Sequence, residues 1–420
     1  MQNTDATDKT TAPAHERPRS LGRNRDFLLL WSGQVVSLLG TNISGLALPL
    51  LVLAITHSPA QAGFITGVQL APYLIFSLPT GALIDRWDRK AVMIRCDIVR
   101  WLALGSVPLA FAVGHLSLVQ LYIVAFVEGT AYVFFSLAQL SALPRVVHAS
   151  HLPQAYALSE ITESSGSLIG PALGGFIIGL ARTTIAGAML AYLADSISYL
   201  ASMLSLRFIR TPFQAERSLE TRHNLRKEIA EGLRFLWTQR RLRIMVLLTM
   251  SINFLQSSIL LDLTVLARGT LHIDVPTLGL IVSAGGVGGL LGGFAAPWLK
   301  AHLRFGQVII GSVLVWTLAA LLMAIAPSAP LLFLGKALMS VVWPIYSVVL
   351  VSYRLSLVPD NLQGRLNSAF RFLSYGIEPL GAAAGGILLA FVGPRPVFWL
   401  ITAGLALCAV AVSCTEIRGS

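Results

Sequence analysis

The feature that most constrains this chain is a recurring apolar stretch of about twenty residues, the length a helix needs to cross a bilayer. Twelve such stretches can be placed, over 27–53, 62–84, 93–113, 117–140, 156–180, 184–206, 244–266, 277–299, 306–326, 330–353, 367–391 and 395–415. Hydrocarbon offers no water to backbone N–H and C=O groups, so each stretch must bond internally as a helix. The expected fold class is therefore an all-α integral membrane protein with 12 transmembrane helices in two pseudo-symmetric six-helix bundles. Composition agrees: 55% of residues are hydrophobic and 12% charged, against about a quarter charged in soluble domains.

Charge is distributed unevenly along the chain. Residues 1–25 are polar and carry Lys9, Arg17, Arg19, Arg23 and Arg25, which predicts a disordered tail and no signal peptide. Residues 26–206 then form one bundle and 244–416 the other. Between them, 207–243 holds ten Lys/Arg, with Leu225, Ile229, Leu233 and Leu236 at helical spacing, the pattern of an amphipathic surface helix. With the N-terminus in the cytoplasm, 27 of the 31 Lys/Arg fall on the cytoplasmic side, five of them assigned to the loop after helix two. Arg182, Arg268 and Arg395 fall on the other side, and Lys336 lies inside helix ten. That asymmetry predicts both termini in the cytoplasm of a cell whose plasma membrane the chain spans. The net charge of +11 then reflects topology and not a nucleic-acid partner.

Helix two ends in Gly81-Ala82-Leu83-Ile84-Asp85-Arg86-Trp87-Asp88-Arg89-Lys90, where two acids and three bases fall within six residues and must sit at a membrane surface. The spacing G-x-L-x-D-R-x-x-R-K resembles the signature between the second and third helices of the major facilitator superfamily, with Asp88 where that family usually has Gly. The halves repeat at an offset of about 210 residues, so that Gly170-Pro171-Ala172-Leu173-Gly174-Gly175 answers to Gly381-Ala382-Ala383-Ala384-Gly385-Gly386. The first of these is similar to the helix-five motif of the superfamily's antiporter branches, where glycines allow close packing. Val358 to Ser368 and Glu231 to Trp237 look like segments of the drug and macrolide exporter branch, whose members are proton-coupled exporters that work as single chains. Siderophore exporters belong to that branch too. Where such relatives often carry an acid after Ser37-x-x-Gly40, this chain has Thr41.

Other chemistries leave no trace. There is no G-x-x-x-x-G-K-[ST] loop, no G-x-S-x-G elbow and no H-E-x-x-H pair, and Cys96, Cys408 and Cys414 lack metal-ligand spacing. The chain is read as a transporter and not an enzyme, with no cofactor and no metal.

An ionised side chain at mid-bilayer costs roughly 2.5–3.5 kcal/mol on insertion scales, so each intramembrane charge is a functional candidate. Glu128 in helix four, Glu378 in helix eleven and Asp262 in helix seven are the candidates for proton coupling, because a carboxyl whose exposure alternates can load and release a proton. Glu128 could instead form an ion pair with Lys336 or a hydrogen bond to a neighbouring helix. Glu378, beside Pro379, could serve packing, and Asp262 an outer gate. In the resembled fold, helices one, four, seven and ten line the cavity, which makes Asn42, Asn253, Gln256, Lys336, Phe135 and Trp343 candidates for substrate contact. Asp195, on a helix that fold places outside the cavity, is expected to be structural. For the gate, Asp85 is set against Arg365 or Arg371 at the start of helix eleven, or against that helix's positive N-terminus, with Gly81, Arg86, Arg89 and Lys90 of the same loop motif as further gating positions, and Glu160 and Glu163 against Lys300 and Arg304 by symmetry. Gly170, Pro171, Gly174, Gly175, Gly381, Gly385 and Gly386 are helix-packing positions.

The resulting expectation is secondary active export of an amphipathic small molecule such as an antibiotic, by proton antiport with alternating access. Export of a siderophore or other metabolite stands beside it. A transport-inactive sensor on the same scaffold is a third reading, and a lipid-modifying enzyme is disfavoured by the lack of clustered His, Asp or Ser.

Overall fold

The computed structural model describes residues 21–84, 86–214 and 225–419, and among them it is helical with no strand. The helices are α1 Arg25–Thr56, α2 Pro59–Ile84, α3 Arg89–Ala112, α4 Leu118–Val146, α5 Leu152–Gly179, α6 Thr184–Phe208, α7 Leu225–Thr238, α8 Arg240–Gln256 and α9 Ile259–Val265. They continue as α10 Val275–His302, α11 Phe305–Ile325, α12 Ala329–Leu357, α13 Asp360–Gly376, α14 Glu378–Val392 and α15 Pro394–Ser413. α8, α9 and a π-helical turn at Leu266–Thr270 make one pass, and α13 with α14 make another, so the chain crosses the bundle twelve times. Nine of these passes are long and apolar enough among the described residues to cross a membrane. α2, α3 and α5 complete the set, packed along α4, α6 and α1. α3 is less apolar because it carries Arg89, Lys90, Arg95, Asp97 and Arg100, and α5 because it opens with Glu160 and Glu163 among hydroxyls.

Short connections work here because capping residues satisfy the first free N–H groups of each helix. Asn24 accepts from the Phe27 N–H, Asp88 from Ala91, Ser117 from Gln120 and Thr183 from Ala186. Asp88, the departure from the family's usual glycine, is thus the N-cap of α3, with its Oδ1 2.9 Å from the Ala91 nitrogen. Because α3 begins at Arg89, Arg95 and Arg100 belong to the helix and not to the loop. Arg100 lies about 16 Å along it at 1.5 Å per residue and is 3% exposed. The loop is therefore less basic than the sequence suggests, and the interior more so.

We call the end where α1 begins the basic end and the opposite end the far end. Helices α1–α6 form one group and α8–α15 the other, and they meet through α2 against α14 and α5 against α10. Close glycine approaches mark this seam toward the far end, and near its middle a Cβ at Gly286 would meet the Leu168 backbone. A Cβ at Gly63 would come 2.6 Å from the Gly386 Cα, and one at Gly175 would come 2.9 Å from the Gly279 Cα. At the basic end α7 lies on α13, with the Arg365 Nη1 2.5 Å from the Glu231 Oε2.

Candidate transport site

The seam encloses a cavity of about 160 Å3 on its far side, lined by Leu48 and Pro49 of α1, Thr66 and Gln69 of α2, Ser258 and Leu261 around α9, and Ala382 of α14. Two of its polar walls are each tied to a buried acid. Gln69 donates from Nε2 to Glu128 Oε2 at 2.8 Å. Ser258 donates from Oγ to Asp262 Oδ2 at 2.9 Å. Glycines let neighbouring helices come close at both places: at Gly129 a Cβ would strike the Gln69 carbonyl, and at Gly385 it would strike the Ser258 side chain. Glu128 is 8% exposed and Asp262 fully buried, and the second Asp262 oxygen has no partner. Glu128 is thus bonded to a neighbouring helix and not paired with Lys336.

Behind Glu128 lies a cluster that the sequence reading did not single out. Arg100 stands over the rings of Tyr199 at 5.0 Å, Phe135 at 5.4 Å and Tyr132 at 5.6 Å. Its Nε and Nη2 are buried without a well-formed hydrogen bond, and so are the two oxygens of the fully buried Asp97 one turn earlier, which has the Ser202 hydroxyl beside it. Tyr199, Glu128 and Asp97 all interact electrostatically with the guanidinium. Tyr199 in turn bonds Thr41 at 2.9 Å. Asp195 receives Ser44 Oγ at 2.5 Å and Ser198 Oγ at 3.1 Å, beside Gly40 of α1. The signal was present: Asp97 and Arg100 lie inside a predicted span at the i, i+3 spacing that puts them on one helix face.

The other predicted residues are more dispersed. Lys336 is half-buried beside Gly285 and Ser340, and among the described residues its ammonium has no hydrogen bond and no ion pair. Glu378 starts α14 at the break after Gly376 and faces Tyr375. Asn253 donates to the Ser374 carbonyl at 2.8 Å, tying α8 to α13. Asn42 bonds within α1 to the Leu38 carbonyl and packs on Gly170. The Gln256 amide nitrogen is buried without a partner. Phe135 forms part of the Arg100 cage, and Trp343, 38% exposed, tilts against Trp316.

Among the gating candidates, Gly81 lies in the last turn of α2, and Asp85 lies outside the described residues. Arg86 is exposed. Arg89 donates to the Ser141 carbonyl at 3.0 Å and Lys90 to the Ile209 carbonyl at 2.6 Å, so both bind the ends of α4 and α6 within their own half. Such carbonyls at helix C-termini attract cations. Arg371 does cross the seam, donating to the Tyr73 hydroxyl at 3.1 Å, with Tyr73 edge-on to Tyr375. Glu160 and Glu163 are exposed and form no ion pair among the described residues with Lys300, which bonds Ser352, or with Arg304. Of the packing positions, Gly170, Gly174 and Gly175 with Pro171 set α5 against α1 and α10, and Gly381, Gly385 and Gly386 set α14 against α8, α9 and α2.

A sequence model described as a transmembrane secretion effector matches residues 20–418. The chain is 25% identical over 400 residues to the multidrug efflux pump Tap of Mycolicibacterium fortuitum, covering 91% of this chain and 94% of that one. It is 26% identical over 375 residues to the enterobactin exporter EntS of Salmonella choleraesuis, covering 88% and 86%. Among solved structures it matches the nucleoside transporter NupG with a TM-score of 0.75 at 15% identity, covering 93% of this chain and 98% of that one. At that identity the structural likeness speaks for the fold alone.

Proposed function

The chain belongs to the transmembrane secretion effector family of major facilitator transporters, and from that premise we propose that it exports an amphipathic small molecule, such as an antibiotic, in exchange for protons. The observation that carries this reading is the seam cavity with a buried carboxylate tied to each side of it, Glu128 through Gln69 and Asp262 through Ser258. Rocking of the halves 26–206 and 244–416 would expose these acids to one side and then the other, which is what coupling requires. The close far-end seam and the exposed Glu160 and Glu163 fit a state open toward the basic end. In this reading the protein works as a single chain in the plasma membrane with its basic end and both termini in the cytoplasm, following the distribution of Lys and Arg.

A second reading, export of an acidic metabolite such as a siderophore, is favoured by Lys336, a half-buried cation without a partner among the described residues. The enterobactin exporter among the relatives points the same way.

Ethidium accumulation in cells expressing wild type or Glu128→Gln, with and without an uncoupler, tests the first reading. Lower accumulation with wild type, abolished by the uncoupler and by the substitution, supports it. Accumulation equal to empty cells in every condition rejects broad drug export.

A further inference from the structure

Besides Lys336, the second half buries a cation with no acid bonded to it. Arg354 stands near the basic end of α12 and is 5% exposed. Among the described residues its one hydrogen bond runs from Nη2 to Asn367 Oδ1 at 2.6 Å, although a guanidinium has five N–H donors to place. Its Cζ lies over the Phe370 ring, 4.5 Å from the centroid. Asn367 and Phe370 are neutral, so they hold the guanidinium without balancing its charge. The next residue, Arg371, is exposed; it donates from Nε to the Tyr73 hydroxyl at 3.1 Å and stands 6.0 Å from the centre of the Tyr375 ring. Asn367, Phe370 and Arg371 follow one another at i, i+3 and i+4 on α13, so the two guanidiniums border the same strip of that helix.

Neighbouring like charges repel, and the buried one is costly without an anion. The charged and titratable groups acting on Arg354 are Arg371 and Tyr375. The carboxyls near this group reach the tyrosines instead: Glu378 of α14 acts on Tyr375, and Glu163 of α5 acts on Tyr132. Neither acid bonds a guanidinium among the described residues. Positive charge and N–H donors therefore lie beside aromatic rings from both halves, with Tyr73 of α2 edge-on to Tyr375 of α13 at 5.6 Å. Planar guanidiniums match the paired oxygens of a carboxylate, sulfonate or phosphate, and half-buried rings match a flat apolar body. Lys336 stands on the same face of α12, eighteen residues and five turns away, about 27 Å nearer the far end.

We propose that Arg354 and Arg371 form a binding site for an organic anion with an aromatic body, taken up near the basic end before it reaches Lys336. The two guanidiniums hold the acidic group, and Tyr73 and Tyr375 flank the ring. Because Tyr73 belongs to the first half and the other three residues to the second, a ligand here joins both halves. The proposal deepens the acidic-cargo reading above and rests on it, giving that cargo a second point of recognition.

Equilibrium dialysis of 2-naphthoate against the purified full chain in phosphatidylcholine nanodiscs, with binding to protein-free nanodiscs subtracted, tests it. Wild type should bind 2-naphthoate at least about tenfold more tightly than the neutral 2-naphthamide. Arg354→Gln and Arg371→Gln should each lose most of that preference. Arg240→Gln, which removes a charge from an exposed pair at the same end, should bind as wild type does. Arg354→Lys keeps the charge and should keep part of the preference, so the test stays decisive where Arg354→Gln does not fold. A wild-type preference in both glutamine variants overturns the proposal. So does loss of 2-naphthoate binding when phosphatidylglycerol replaces phosphatidylcholine, which would assign the site to a lipid headgroup. If Lys336→Gln abolishes the preference and the arginine variants keep it, the acidic-cargo reading stands and this site falls. If acid and amide bind wild type alike, both fall.

Discussion

The two halves spend their buried charges differently. In the first half, Asp97, Arg100, Glu128 and Asp195 stand within one electrostatic cluster, caged by Tyr132, Phe135 and Tyr199 and tied to α1 through Thr41 and Ser44. In the second, Asp262 has Ser258 alone, Glu378 faces Tyr375, and Lys336 has no partner among the described residues. Buried charges that compensate one another can stay in place through a transport cycle, whereas isolated ones demand a ligand, a proton or water. Under the proposed proton-coupled reading, the first half would handle the coupling ion and the second would adapt to cargo.

The contrast would break most visibly at Arg100. Arg100→Met leaves Asp97 and Glu128 facing an uncompensated interior, and removing one member of a buried charge cluster costs about 3–5 kcal/mol. Melting of the purified protein should fall accordingly, and Asp97→Asn in the same chain should restore part of the loss. In the second half, Lys336→Met removes a cation with no partner to strand, so stability should be unchanged or higher, by about 1 kcal/mol or less, while handling of acidic substrates is lost. A drop as large as that of Arg100→Met would mean that Lys336 is paired and the halves are alike.

The seam gives an intermediate effect. Gly175→Ala places a methyl against the Val275 carbonyl and the Gly279 Cα, backbone atoms that cannot turn aside. Such overpacking costs about 1–3 kcal/mol and should shift the protein toward open far-end states, read as faster labelling of a cysteine placed near Thr66. Gly289→Ala meets nothing within 4 Å and should label like wild type. The smallest effect is expected at the exposed Arg240–Glu416 pair, 2.8 Å long, where Glu416→Ala should cost no more than about 1 kcal/mol.

Much of the fold was legible because hydrophobic length and loop charge speak directly to a bilayer. α7 spans Leu225–Thr238 inside the basic segment 207–243, and the glycines of α5 and α14 stand at close helix approaches. The site was less legible, for a physical reason. Glu128 stood out as an isolated charge in an apolar run, but Asp97 and Arg100 follow Arg89, Lys90 and Arg95 closely and read as an extension of a surface loop. Only the Asp88 cap, which starts α3 early, shows them to lie about two to three turns into the helix. Arg89 and Lys90 of the loop motif bond carbonyls of their own half, because helix ends offer acceptors that a sequence does not display.

The most direct test of proton-coupled export is dissipation of an imposed pH gradient in proteoliposomes with a trapped pH-sensitive dye, on addition of ethidium or erythromycin. Wild type should dissipate the gradient when either compound is added, and Glu128→Gln should not, although it should still bind the compound. Equal dissipation by wild type and Glu128→Gln would contradict the account.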